Sequence, residues 1–204
     1  MNAIQLPDAW RERVLVVRAE EYEMPQAEEF LSREESAVMK TFRLRKRRDE
    51  WLLSRAAFKR LALDAGACES PQSCEMNRPR LQSGGSDCGW FVSISHSLPY
   101  AGAIIGRAPV GIDVQVIRDL SESTLHLFVR EEEAEDLRRC SIADRVLHYW
   151  CAKEAAWKQR SEEFVTMKQV PLELIGETSR GLRFDSVETW ATDDVIVAVT
   201  VPIS

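Results

Sequence analysis

Residues 51–59 read WLLSRAAFK and residues 150–158 read WCAKEAAWK, and this repeated pattern decides how the chain is organised. A shorter pair precedes them, SREESA at residues 32–37 and VREEEA at residues 129–134. The long pair is displaced by 99 positions and the short pair by 97, a difference that one loop can absorb. The sequence therefore predicts an internal duplication.

The duplication predicts an α+β fold of two pseudo-symmetric α/β halves, residues 1–107 and 108–204. Each half would contain a strand, a helix with a marked start, and a longer helix. If the halves pack about a pseudo-twofold axis, Arg55 and Glu154 take equivalent positions and face a shared cleft.

Helix signals outside the repeat are local and specific. Ser32 and Glu35 form a capping box, which predicts a helix start near residue 33. Residues 47–65 carry apolar side chains at a period of 3.6, and Gly66 is a suitable stop. The remaining predicted helices cover residues 125–139 and 143–160, the predicted strands cover 14–17, 91–95, 101–105, 110–116, 187–191 and 195–201, and the predicted loops cover 20–29 and 67–89.

Composition excludes several classes of protein. The 204 residues are 45% hydrophobic and 29% charged, which is typical of a globular chain. With 27 basic and 33 acidic residues the net charge is −6, so a general nucleic-acid binder is excluded. Neither a signal-peptide pattern nor a long apolar stretch is present, which predicts a cytoplasmic protein without a membrane partner. The five cysteines lack a CxxC pair, which favours reduced thiols over a zinc site.

Three residues form the first candidate site. Glu154 and Lys158 are spaced i and i+4 and share a helix face, while Asp113 ends the strand VGID and reaches them if the strand and the helix pack together. Two carboxylates from separate elements suit Mg²⁺, which takes oxygen ligands. The alternative is an exposed Glu154–Lys158 ion pair. Asp113 favours the metal site, because the apolar residues around it predict burial of its carboxylate.

A second set of residues suits an anion. His96 lies between serines in SISHS, residues 93–97, and a basic stretch, residues 43–48, is continued by Arg55 and Lys59. Arg48 and Arg55 are seven positions apart, two helical turns, so both can face one anion. The alternatives are a structural histidine and a solvated run of charge.

Four segments carry a resemblance to a known family. They are RRDEWLLSR at residues 47–55, SHS at 95–97, VGIDV at 110–114 and WCAKEAAWK at 150–158. Their order and spacing resemble those of a 4'-phosphopantetheinyl transferase of the surfactin-synthetase-activating type.

The resemblance implies a monomeric enzyme, a holo-[acyl-carrier-protein] synthase, that binds coenzyme A and Mg²⁺ between its halves. Such an enzyme transfers phosphopantetheine to a serine of an apo acyl, peptidyl or aryl carrier protein and releases adenosine 3',5'-bisphosphate. By matching position, the implied nucleotide and phosphate contacts are Arg48, Arg55, Arg78, Ser95 and His96, the implied Mg²⁺ ligands are Asp113 and Glu154, and Lys158 would neutralise the diphosphate.

The chain departs from the family pattern at Gln115, where most members carry glutamate. Gln115 shares a strand face with Asp113, and as a metal ligand its neutral amide binds Mg²⁺ less strongly than a carboxylate. Glu132 matches a further family acid and is a candidate to compensate, with a helix-start role as the alternative. Two other functions therefore stay open: a coenzyme A-binding protein with impaired catalysis, and a metal-dependent phosphodiesterase that uses the same carboxylates.

Overall fold

The computed structural model describes residues 4, 6–21, 24–77 and 79–201. The fold is α+β, and the chain divides into two compact units, Met1–Pro109 and Val110–Ser204, each with a five-stranded antiparallel sheet. None of the described helices combines the length and the apolar character that a membrane span requires.

The first unit packs one long helix against its sheet. Its sheet has the strand order β1-β5-β4-β3-β2, so the first strand lies at an edge beside the last. Leu53, Phe58 and Leu61 of the long helix α3 lie in one core cluster with Val92 and Ile94 of the sheet. The elements are β1 (Val14–Arg18), α1 (Met24–Glu28), α2 (Arg33–Met39), α3 (Arg45–Asp64), β2 (Cys74–Asn77), β3 (Arg80–Ser83), β4 (Ser86–Ser97) and β5 (Tyr100–Gly106).

The second unit repeats this order of strands. Its sheet runs β6-β10-β9-β8-β7, again with the first strand at an edge beside the last. Leu147, Cys151 and Ala155 of the long helix α5 share a core cluster with Phe184 and Ile196 of the sheet. The elements are β6 (Ile112–Val116), α4 (Glu131–Arg139), α5 (Arg145–Gln159), β7 (Leu174–Glu177), β8 (Leu182–Phe184), β9 (Val187–Ala191) and β10 (Val195–Thr200).

The helix signals are confirmed. Ser32 Oγ accepts the backbone N–H of Glu35 at 3.2 Å, and the Glu35 carboxylate accepts the backbone N–H of Ser32 at 3.0 Å. The helix α3 ends just before Gly66, which has a φ of +66°. At such a left-handed position glycine carries no steric penalty, which is why it is a common helix stop.

Several predicted boundaries were wrong. Residues 67–89 are not a long loop, because β2, β3 and the start of β4 lie there, with Gly84 and Gly85 at positive φ in the turn between β3 and β4. The strands β2 and β3 are short and largely polar, so they lack the apolar alternation that marks a strand. Residues 20–29 contain α1, and a 3-10 helix at Glu122–Leu127 replaces the start of the helix predicted over 125–139. The short strands β7 and β8 were not predicted.

The second helix start is one residue later than the repeat indicates. The matching pair aligns Ser32 with Val129, but the residue that caps the start of α4 is Arg130. Its backbone N–H donates to the Glu133 carboxylate at 2.9 Å. The displacement between the two helix starts is therefore 98 residues.

Candidate active site

The strand β6 and the helix α5 bring the acidic residues together. Asp113 lies in β6 opposite Ala198 of β10, and its side chain is almost fully buried. Gly111 immediately precedes β6, and a Cβ on it would lie 1.9 Å from the carbonyl oxygen of Ala155 in α5. Only glycine permits this approach of strand end and helix, so the glycine of the GID sequence sets the distance at which α5 faces Asp113.

The carboxylate of Asp113 accepts hydrogen bonds from side chains of both β6 and α5. Lys158 Nζ donates to Oδ1 at 3.0 Å, and Gln115 Nε2 donates to Oδ2 at 3.1 Å. The buried thiol of Cys151 also donates to this carboxylate, and burial, followed by the charge of Asp113, raises the pKa of that thiol well above its usual value. Cys151 therefore stays protonated, and Asp113 is held in place from both the strand and the helix.

Glu154 lies one turn before Lys158 on the same face of α5. Its Oε1 is 3.7 Å from Lys158 Nζ, and its side chain is about a quarter exposed (27%). Burial, followed by repulsion from Asp113, raises the pKa of Glu154, and the nearby Lys158 opposes the shift. Two carboxylates thus converge on one ammonium group, which also donates to the carbonyl oxygen of Ile112 at 3.0 Å.

The donor set fits Mg²⁺ better than a soft metal ion. Asp113 and Glu154 offer hard oxygen ligands whose two charges exceed the single charge of Lys158. The amide nitrogen of Gln115 donates to Asp113, so the side-chain carbonyl oxygen of Gln115 is the atom that can contact a cation. Among the described residues, no cluster of three or more histidine, cysteine or acidic side chains has the arrangement to hold a metal ion. A cation here would therefore complete its shell with water or substrate oxygens, as Mg²⁺ commonly does.

A second acid-lysine pair in this unit was missed by the sequence analysis. Lys153, inside the WCAKE motif, is fully buried, and its Nζ donates to Glu133 Oε1 at 2.7 Å and to the carbonyl oxygen of Val170 at 2.6 Å. Glu133 also accepts the backbone N–H of Leu172 at 3.0 Å. This pair joins α4, α5 and the segment before β7. Glu132, the acid considered from the sequence, is exposed beside it in the first turn of α4.

The candidate anion-binding residues lie in the first unit. Arg48 and Arg55 are both on α3: Arg48 Nε lies 3.4 Å from Asp49 Oδ1, and the Arg55 guanidinium stacks on Trp51 with 4.3 Å to the ring centroid. Ser95 and His96 are adjacent in β4, with Ser95 buried and His96 exposed. The remaining candidate, Arg78, lies outside the described residues.

The inclusion of Lys59 in the basic surface was wrong. Lys59 is fully buried, pairs with Glu35 and donates to the carbonyl oxygen of Pro71 at 2.8 Å. The same glutamate that caps α2 therefore neutralises a lysine of α3. Helical spacing put Lys59 on the basic stretch, but the packing of α2 against α3 decides its partner.

The family model of the 4'-phosphopantetheinyl transferase superfamily matches residues 109–198. This segment covers the second unit almost entirely and includes Asp113, Glu154 and Lys158. No curated protein matches the chain. Over this segment the chain is similar to that superfamily, and the match supports a transferase that moves phosphopantetheine.

Proposed function

We propose that the protein transfers 4'-phosphopantetheine from coenzyme A to a serine of an apo acyl, peptidyl or aryl carrier protein, in a Mg²⁺-dependent reaction. The observation that carries the proposal is the position of Lys158 Nζ, 3.0 Å from Asp113 and 3.7 Å from Glu154, inside the segment that matches the superfamily. We further propose that the enzyme is a cytoplasmic monomer of the surfactin-synthetase-activating type.

The chemistry requires a neutralised diphosphate and a base. Asp113 and Glu154 would hold Mg²⁺, which when bound offsets charge on the phosphoryl oxygens. Lys158 would add a second positive charge at the diphosphate. Glu154 is the candidate base: one carboxylate oxygen would ligate the cation, and the other would accept the proton of the serine hydroxyl directly or through a water. Cys151 and Gln115 would keep the Asp113 carboxylate oriented through their hydrogen bonds.

For the first unit we propose contacts to the nucleotide end of coenzyme A. Arg48, Arg55 and His96 would bind the 3'-phosphate region, with Ser95 and Arg78 as further phosphate contacts. If so, Arg48→Ala and Arg55→Ala raise KM for coenzyme A while the mutual geometry of Asp113 and Lys158 is unchanged. An unaltered KM in both variants would remove these arginines from the proposal.

The decisive experiment is a transfer assay read by intact mass. The protein is incubated with coenzyme A, Mg²⁺ and a panel of apo acyl and peptidyl carrier proteins, and a phosphopantetheine mass gain on the carrier is expected. Asp113→Asn and Glu154→Gln should each lower the rate about 100-fold or more with the fold retained. Glu162→Gln removes an exposed acid just after α5 and serves as the matched control. Near-normal rates in both site variants would contradict the metal-site assignment.

The amide of Gln115 favours a second candidate, a coenzyme A-binding protein with impaired catalysis. In Gln115→Glu the hydrogen bond to Asp113 is replaced by a third carboxylate. We expect this variant to be less stable without divalent cation and to gain more in Tm when Mg²⁺ is added, because the added charge is then paired. Gln82→Glu in β3 of the other unit is the control. Suppose that the wild type binds coenzyme A without transferring phosphopantetheine, and that Gln115→Glu shows neither a larger gain in Tm with Mg²⁺ nor turnover. The protein is then better described as a coenzyme A-binding protein with impaired catalysis.

A further inference from the structure

Two buried cysteines of the first unit have their thiols in contact. Cys68 lies in the connection between α3 and β2, and Cys74 is the first residue of β2. Both belong to one core cluster, with exposed fractions of 9% and 0%. The thiol of Cys74 donates a hydrogen bond to the sulfur of Cys68. A disulfide requires two cysteines whose side chains already approach each other, and this pair meets that requirement.

The backbone between these cysteines is ordered by its own hydrogen bonds. Ser70 Oγ accepts the backbone N–H of Ser73 at 3.2 Å, and the hydroxyl of Ser73 donates to the carbonyl oxygen of Ser70 at 3.0 Å. The backbone N–H of Cys74 donates to the carbonyl oxygen of Pro71 at 3.2 Å, and Nζ of the buried Lys59 donates to the same oxygen at 2.8 Å. These bonds fix the turn, so the contact of the two thiols is a property of the folded backbone.

The two thiols differ in how readily they lose a proton. Burial raises the pKa of Cys68, but the hydrogen bond from Cys74 and the charge of Lys59 oppose this shift. For Cys74, burial and the hydrogen bond to Cys68 both raise the pKa. Cys68 is also the more exposed of the two. Because the thiolate is the attacking form, Cys68 is the thiol that reacts first, and Cys74 lies in position to resolve the product.

A third thiol of the first unit lies nearby but is held elsewhere. Cys88 packs against the same core cluster and is partly exposed. Its thiol donates to the carbonyl oxygen of Leu81 at 3.2 Å, and the strand β3 lies between its own strand, β4, and the strand β2. The turn therefore pairs Cys68 with Cys74, while Cys88 is expected to react with external reagents on its own.

We propose that Cys68 and Cys74 form a redox modification site, which a small-molecule disulfide oxidises to an intramolecular disulfide. The Cys68 thiolate attacks the external disulfide, and the product is a mixed disulfide and one free thiolate, which takes up the proton that Cys68 lost. The Cys74 thiolate then attacks the sulfur of Cys68 and releases the second thiol. The protein thus loses two electrons and two protons, and the external disulfide leaves as two thiols. Such cysteine pairs in reducing compartments are commonly redox sensors. The proposal does not depend on the proposed transferase function.

The test uses oxidised glutathione as the probe and the native Cys88→Ser protein, which lacks the competing thiol. The remaining thiols are then alkylated, and the intact protein and its peptides are measured by mass. We expect a loss of two hydrogen atoms, two fewer alkylated thiols and a cross-linked peptide that contains Cys68 and Cys74, all reversed by dithiothreitol. A disulfide between another pair, a glutathione adduct that never closes, or no oxidation of this pair in the native protein would overturn the proposal.

Variants in the same background assign the two steps. Cys74→Ser should stop the reaction at the glutathione adduct of Cys68, and Cys68→Ser should lower the rate of adduct formation at Cys74 about tenfold or more. Cys140→Ser removes a buried thiol of the other unit and should leave the rate of disulfide formation unchanged. The oxidised protein should have a Tm no lower than that of the reduced protein, because the crosslink closes a turn that is already formed. A lower Tm, or an unchanged rate in Cys68→Ser, would contradict the proposed geometry.

Discussion

Three charged side chains meet at the candidate active site, and their charges do not balance. Asp113 and Glu154 share Lys158, and the shifted pKa of Glu154 is caused first by burial and then by repulsion from Asp113. A carboxylate with a raised pKa binds its proton more tightly in the folded than in the unfolded state. Glu154 therefore lowers stability in its charged form, as is common for groups kept for function.

The sign of this effect predicts a pH-dependent difference. Below the ordinary pKa of 4.5, Glu154 is protonated in both the folded and the unfolded state, so it has no charge that could lower the stability. The penalty grows as the pH rises above this value and through the raised folded pKa, so it is larger at neutral pH than at pH 4. We therefore expect Glu154→Gln to have a higher Tm than the wild type at pH 7, with the difference shrinking toward pH 4. Thermal unfolding from pH 4 to pH 8 measures this. A variant less stable than the wild type at pH 7 would mean that the ion pair with Lys158 outweighs burial.

At the scale of elements, the packing of β6 against α5 depends on a glycine. In Gly111→Ala the new methyl group meets the Ala155 carbonyl oxygen at 1.9 Å, so the start of β6 or the helix must move. We expect a loss of about 1–3 kcal/mol in the free energy of unfolding, together with a displaced Asp113 and reduced transfer.

Gly176→Ala is the matched control for that packing prediction. Gly176 lies in β7 with no atom within 4 Å of the position its Cβ would take. Denaturant unfolding of both variants compares them directly. Equal stability of Gly111→Ala and Gly176→Ala would show that β6 and α5 tolerate greater separation.

The buried pair Lys153–Glu133 joins three elements. Removing one partner should therefore lower the stability strongly, and removing the second as well should restore part of it. Lys153→Met leaves the Glu133 carboxylate buried without its main partner, and we expect a loss of about 3–5 kcal/mol. The double variant Lys153→Met with Glu133→Gln should recover much of the loss, because no unpaired charge remains. Unfolding free energies of the two single variants and the double variant form the cycle that measures the coupling. A double variant as unstable as the sum of the single ones would contradict a direct interaction.

At the scale of the whole molecule, the five thiols differ in burial, and burial should decide how fast each one reacts. Cys68, Cys74, Cys140 and Cys151 are buried and burial raises the pKa of each, whereas Cys88 is partly exposed. Thiolates react and thiols do not, so we expect one fast-reacting thiol in the native protein and five in denaturant. A disulfide reagent followed by absorbance counts them. Cys88→Ser should remove the fast phase, and a fast phase that persists would show that a buried thiol opens readily.

Sequence alone determined the features that rest on local pattern. The capping box at Ser32 and Glu35, the long helices and the apolar strands β5, β6 and β10 follow from periodicity and from hydrogen bonds between near neighbours, which residue order specifies directly. The repeated helix motif predicts two pseudo-symmetric halves, and that symmetry stays a prediction. The short polar strands β2 and β3 left no such pattern, because their pairing is stabilised by partners along the sheet rather than by their own residues.

Tertiary structure alone decided which charges meet. The sequence contains Lys59, Lys153 and Lys158 on two similar helices, yet the first two are buried structural lysines paired with the helix-start glutamates Glu35 and Glu133. Lys158 instead contacts Asp113, 45 residues away in the chain, and the same fold leaves His148 Nε2 without a partner. Helical spacing states which face a side chain occupies, but the partner on that face comes from another element. Only the packing of elements, which depends on the whole chain, determines that partner.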